Sequence, residues 1–233
     1  MSGRFFVLEG LDGAGTTTQA ARLAAHLREH GREVIETHEP TGGPVGRLIR
    51  QALRGEEGAV DRQTLPWMFA ADRADHLTRL VEPTLARDAD VISDRYLHSS
   101  LAYQSLDRPL DLVYSLNADF RVPDLTIFVR VPVDVCLARI EARGGVREIF
   151  EKREQLAAME QQLRQAMLKN TKPGMPTASV RVTSFSHLPS RVVVACVRVA
   201  STSWIVQPTP SVAQRVRNTH SRPIGVNALP SLT

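Results

Sequence analysis

The run Gly10-Leu11-Asp12-Gly13-Ala14-Gly15-Thr16-Thr17 holds the residue types that a phosphate group needs. Its glycines let backbone N–H groups turn inward around phosphate oxygens, and a helix starting behind them adds partial positive charge. Thr17 stands where such a loop offers a hydroxyl to Mg²⁺. Asp12 adds a carboxylate, an acceptor-only group, at the floor of the loop. The lysine that normally follows the last glycine is replaced by Thr16. The chain's only lysines, Lys152, Lys169 and Lys172, lie beyond residue 150. Neutralisation of charge during phosphoryl transfer must then come from another group.

Other residues fall at spacings that could serve the same chemistry. Asp94 and Arg95 follow an apolar run, at the end of a strand, where ligands meet a parallel sheet. The planar fork of an arginine there suits phosphate oxygens. Phe69 precedes Arg73 by one helical turn, so both face one side, and Ser100 and Gln104 have the same relation. Arg139, Arg143 and Arg147 recur every fourth residue around Gly144-Gly145. A solvated stripe is the plainer reading of those arginines, and a core phenylalanine beside a surface arginine is the plainer reading of Phe69 and Arg73.

The elements that must position these side chains follow from periodicity. Residues 4–9 form a short apolar run ending at glycine, as a buried strand does. Helical spacing of Ala20, Leu23, Ala24 and Leu27 follows, with Gly31 as its stop. Strands are predicted at 33–37, 90–93 and 125–129. Helices are predicted around 48–53, over 65–85 with a break at Pro83, and over 133–143. Strands alternating with helices imply a parallel sheet with right-handed crossovers. Further on, 179–182 reads as a fifth strand and 191–200 as a helix or a strand.

Four further segments carry a resemblance. They are His38-Glu39-Pro40-Thr41-Gly42-Gly43, Phe69-Ala70-Ala71-Asp72-Arg73-Ala74-Asp75-His76, the run from Asp94-Arg95-Tyr96 to Tyr103-Gln104, and Pro123-Asp124-Leu125-Thr126-Ile127. Together with Gly10–Thr17 they resemble bacterial thymidylate kinase, in order and in spacing, over residues 3–160. The chain departs from the family at Thr16, at His38, where arginine is usual, and at Ser105, where glycine commonly follows the Tyr-Gln pair.

The resemblance implies an α/β, three-layer α/β/α P-loop kinase fold of about five parallel strands. It implies transfer of the γ-phosphoryl group of ATP to dTMP with Mg²⁺, by a homodimer. Gly10, Leu11, Asp12, Gly13, Ala14, Gly15, Thr16 and Thr17 would bind the donor phosphates. Asp12 would also meet the 3′-hydroxyl of the acceptor, and Asp94 would reach Mg²⁺ through water. Arg95 and Arg50 would hold the acceptor phosphate. Phe69 would stack on thymine, Arg73 would bond the base, and Ser100 and Gln104 would line the wall facing it. Tyr103 would crowd the 2′ position against ribonucleotides. Arg143 and Arg147 would belong to a mobile lid and supply the charge that Thr16 lacks. Two other functions stay open: a kinase for a different nucleoside monophosphate, and a nucleotide-binding protein without turnover.

Composition bounds the rest. The 233 residues, 42% hydrophobic and 23% charged, suit one soluble domain. No stretch reaches the length of a membrane span, and two cysteines cannot make a disulfide framework, which fits a reducing cytosol. The formal net charge of +4 hides an asymmetry: all 25 acidic residues precede residue 161. The basic residues after it are scattered singly, which argues against a nucleic-acid arm. A domain is expected over 1–203 and a poorly ordered tail over 204–233. The acid-free end reads either as a divergent folded end or as the product of a reading-frame change near residue 160.

Overall fold

The structure is a computed structural model that describes residues 3–144, 153–168, 180–184 and 193–198. Its order is β1 (Phe5–Gly10), α1 (Thr16–Glu29), β2 (Val34–His38), α2 (Pro44–Leu53), α3 (Leu65–His76), α4 (Glu82–Ala86), β3 (Asp90–Asp94), α5 (Leu97–Tyr103), α6 (Leu110–Asn117), β4 (Leu125–Arg130), α7 (Val133–Arg143), α8 (Arg153–Leu168), β5 (Val180–Ser184) and β6 (Val193–Arg198).

The sheet runs β2-β3-β1-β4-β6-β5. β2, β3, β1 and β4 are parallel, with Phe5 opposite Val91, Phe6 opposite Leu125 and Val34 opposite Asp90. Among the described residues four strands pair in parallel, and a fifth, β5, points the same way but is separated from them by an antiparallel β6. The segment read as a fifth parallel strand is β5, which runs antiparallel beside β6, and β6 runs antiparallel to β4. Only a short connection joins β5 to β6, and a parallel pair needs a crossover of a dozen residues or more. The open choice at 191–200 resolves to a strand.

Alternation along β1 sends side chains to two apolar layers. Phe5 and Val7, with Val91 of β3, meet Leu77, Val81, Leu85 and Val113. Leu8 and Ile92 meet Ala20, Ala24, Cys136 and Ile140 on the opposite face. This is the expected α/β/α sandwich. The helical stretch at 65–85 breaks earlier than predicted. A π-helical turn spans Leu77–Val81, one turn ahead of Pro83, where the missing proline N–H removes a rung of the helix ladder. α8 continues past Glu160 to Leu168 and buries Leu156, Met159 and Leu163. Residues 204–233, including the expected tail, lie outside the described residues.

Candidate active site

All four parallel strands end on one side, and the loops after β1, β2 and β3 surround a cavity of about 680 Å³. The phosphate loop forms its floor. Gly13 and Gly15 have φ of 77° and 89°, a left-handed backbone that glycine adopts without strain. A Cβ on Gly13 would also lie 2.5 Å from the Cys136 carbonyl oxygen of α7. Leu11 and Ala14 are buried beneath the loop, and so is Thr16, whose methyl group turns toward Gly10. Thr16 thus packs where a lysine stem would start, and it brings no charge.

Arg139 of α7 reaches this loop, donating through Nη1 to the carbonyl oxygens of Gly13 at 3.2 Å and Ala14 at 3.4 Å. The four-residue spacing named Arg139 only as part of a stripe, and packing of α7 against the loop decides its contact. Arg143 lines the cavity from the end of the same helix. Arg147 lies outside the described residues.

Thr17 and Asp94 meet at the strand ends, with the threonine hydroxyl 2.5 Å from Asp94 Oδ2. Asp94 Oδ1 is buried with no hydrogen-bond partner. A hydroxyl beside an unsatisfied carboxylate oxygen fits Mg²⁺, a hard cation that takes oxygen ligands and keeps waters. Among the described residues, no group of three or more His, Cys, Asp or Glu side chains could hold a metal. Phosphate and water oxygens would therefore complete the shell.

Arg95 sits beside Asp94 at φ 73°, a conformation a non-glycine residue adopts at a cost. Its guanidinium is fixed on several sides. Nη2 donates to Asp12 Oδ1 at 2.7 Å, and Nη1 donates to the Gly10 carbonyl at 2.9 Å, Ser99 Oγ at 3.1 Å and the Tyr103 hydroxyl at 3.2 Å. Burial opposes its charge, but the Tyr103 oxygen and the carboxylates of Asp12, Asp94 and Glu9 outweigh that and hold its pKa well above the ordinary value. Burial likewise keeps the Tyr103 phenol neutral, against the pull of Arg95. The Asp94–Arg95 neighbours do not pair with each other as a surface pair would; the partner of Arg95 is Asp12.

A second arginine lies deeper. Arg73 is 1% exposed. Its Nε and Nη2 donate to Glu39 Oε2 at 2.9 and 2.7 Å, Nη2 also donates to Ser100 Oγ at 3.0 Å, and Nη1 donates to Asn117 Oδ1. His76 Nδ1 lies 3.0 Å from Glu39 Oε1, and its Nε2 lies 2.8 Å from Thr37 Oγ1. Five N–H groups and four such bonds leave one Nη1 proton over, on a residue that lines the cavity. Gln104 Oε1, one turn beyond Ser100, is buried with no partner. Phe69 lines the same wall, and Arg50 stands at the rim, donating to the Pro40 carbonyl and lying 3.1 Å from His38 Nδ1. Ser105, at the position where glycine was expected, donates to the Leu101 carbonyl at 2.5 Å and caps the end of α5.

The structure thus gathers Asp12, Thr17, Arg50, Phe69, Arg73, Asp94, Arg95, Ser100, Tyr103, Gln104 and Arg143 around one cavity. Sequence reasoning missed Glu9 and Asn117, which carry no motif spacing; a buried acid at the end of an apolar strand was the one signal for Glu9.

A phosphate-cradling loop, a hydroxyl–carboxylate pair at its edge and an arginine-walled second pocket define a P-loop nucleoside-monophosphate kinase. The family model for thymidylate kinase matches residues 8–177. The chain belongs to the thymidylate kinase family. It is 43% identical over 159 residues to a probable thymidylate kinase of Pyrococcus horikoshii, covering 65% of this chain and 76% of that one. It is 42% identical over 157 residues to a thymidylate kinase of Dinoroseobacter shibae, covering 64% and 74%. The solved thymidylate kinase of Candida albicans shares the fold, with a TM-score of 0.60 at 24% identity over 70% of this chain and 77% of that one.

Proposed function

We propose that this chain works as a thymidylate kinase, passing the γ-phosphoryl group of ATP to dTMP to give dTDP. The observation that carries the reading is the base-facing wall. It offers an unpaired acceptor at Gln104 Oε1 and a remaining Arg73 N–H, with Phe69 beside them. Thymine presents a donor N–H flanked by carbonyl acceptors, the complementary pattern.

The rest of the chemistry is positioning and charge stabilisation. The loop from Gly10 to Thr17 holds the donor phosphates through its amides. Arg95 and Arg50 hold the acceptor phosphate, and Asp12 orients Arg95 while facing the acceptor sugar. Thr17 and, through water, Asp94 would hold Mg²⁺, which when bound offsets charge on the phosphate oxygens. Tyr103, locked between Arg95 and Asp12, crowds the 2′ position. We place the chain in the cytoplasm, in keeping with its two cysteines, as a homodimer, as the family resemblance implies. Leu48 of α2 and Trp67 of α3 are exposed apolar side chains that support a second copy. No helix among the described residues is long and apolar enough to cross a membrane.

A coupled ADP-release assay with Mg-ATP and a panel of monophosphates tests the reading. dTMP is expected to turn over faster than UMP or CMP, and Tyr103→Ala is expected to narrow the deoxy-over-ribo preference. Equal turnover of ribo- and deoxynucleotides by the unmodified chain would remove the role given to Tyr103.

The charge absent at Thr16 is assigned to the lid arginines, Arg143 and Arg147. Arg143→Ala is expected to lower turnover at saturating ATP by at least about tenfold, the cost of losing roughly 1.4 kcal/mol of transition-state stabilisation. Thr16→Ala, which removes no charge, should cost far less, and Thr16→Lys should restore activity to Arg143→Ala. Normal turnover in the Arg143 and Arg147 variants would move the charge to another group.

A further inference from the structure

Glu9 is the last side chain before the phosphate loop that points away from it. It is completely buried and does not line the cavity. A buried carboxylate without partners is strongly disfavoured, so its partners say what it is for. Oε1 accepts from the backbone N–H groups of Tyr96 at 3.1 Å, His98 at 3.1 Å and Ser99 at 3.2 Å. Oε2 accepts from the Ser99 hydroxyl at 2.6 Å. All four donors lie in the segment that leaves Arg95 and enters α5.

That segment needs a restraint. Arg95 has φ 73°, a strained backbone for a non-glycine residue, which persists only where surroundings fix it. On its near side, Arg95 N–H donates to the Leu8 carbonyl at 2.8 Å, and Ser93 Oγ donates to the Arg95 carbonyl at 2.8 Å. On its far side the restraint is Glu9. Ser99 then links the two groups, since its Oγ bonds Glu9 and also accepts from Arg95 Nη1 at 3.1 Å. α5 carries Ser100 and Tyr103, with Gln104 directly after it, so the same carboxylate fixes the wall that faces the acceptor.

We propose that Glu9 is a positioning residue for phosphoryl transfer: it ties the Arg95 turn and the start of α5 to the strand that carries the phosphate loop, and so sets the spacing between donor and acceptor sites. Its action on catalysis rests on the kinase reading above, whereas its anchoring of the turn does not.

Glu9→Gln keeps the side-chain size, removes the charge and puts an amide NH2 either opposite the three N–H groups or opposite Ser99 Oγ, which must then give up its donation. Two measurements test it. In the substrate-free chain, amide hydrogen exchange at Tyr96, His98 and Ser99 is expected to accelerate about tenfold or more, while exchange at Gly13 and Gly15 stays within about twofold. In steady-state kinetics, kcat should fall by about tenfold or more and KM for dTMP should rise, with KM for ATP within about twofold. Glu9→Asp should recover part of the loss. Unchanged exchange at the three amides, or a loss shared equally by ATP and dTMP, overturns the proposal. Should Glu9→Gln not fold, Ser99→Ala carries the test, since it removes the hydroxyl shared by Glu9 and Arg95. Wild-type kcat and dTMP KM in that variant overturn the proposal as well. Absence of turnover in the parent chain would instead fail the kinase reading, and the exchange pattern would still decide the anchoring.

Discussion

Arg95→Ala is expected to lower turnover by about 100- to 1,000-fold, the loss that follows removal of one preorganised group aimed at developing charge. Arg95 is poised for this before substrate arrives. Asp12, Gly10, Ser99 and Tyr103 hold its guanidinium, so little reorganisation is left for the reaction. Arg95→Lys should restore only part of the activity, because an ammonium is a point charge and lacks the planar fork. Arg95→Gly separates backbone from side chain. Glycine is unstrained at φ 73°, so this variant should match or exceed Arg95→Ala in melting temperature while losing the same turnover. The coupled assay with dTMP and Mg-ATP reads the rates, and calorimetry reads the melting. Wild-type kinetics in Arg95→Ala would make the residue structural.

Arg73→Ala should cost stability first. Arg73 and Glu39 form an ion pair at 2.7 Å with side chains only 1% and 3% exposed. Removing one member leaves the other as an uncompensated buried charge, worth about 3–5 kcal/mol. For a domain of this size that lowers the melting temperature by roughly 6–20 °C. Asn117 and Ser100 lose their donor in the same step, which adds buried polar atoms without partners. The double variant Arg73→Ala with Glu39→Gln should be less destabilised than the sum of the single variants, since no lone charge remains. Affinity for dTMP should fall in every variant lacking Arg73, the group proposed to bond the base. A melting temperature within about 2 °C of wild type in Arg73→Ala, less than one kcal/mol on the same scale, would show that the pair is solvated in solution.

Much of this protein was determined by local sequence. An apolar run, a glycine loop and a helical repeat in succession can place Gly10–Thr17 only at the carboxyl end of a buried strand. Residues one helical turn apart share a face whatever the fold, so Phe69 with Arg73 and Ser100 with Gln104 were legible as pairs. Strand positions for β1 to β4 followed from apolar runs bounded by turns. Tertiary structure decided what these groups meet. Asp12 faces Arg95 because β1 and β3 are neighbours in the sheet, although the two residues lie 83 apart in the chain. Arg73 meets Glu39 and Asn117 because α3 packs against both the loop after β2 and α6; spacing along α3 says nothing of either. The place of β6 was not legible, since an apolar alternation reads the same for parallel and antiparallel pairing; β6 lies antiparallel between β4 and β5, so β5 keeps the direction of β1 to β4 but pairs with none of them. Glu9 shows the difference most clearly. Its position at the end of β1 was plain, but its purpose depends on four donors 87 to 90 residues away, gathered there by the packing of β3 and α5 beside β1.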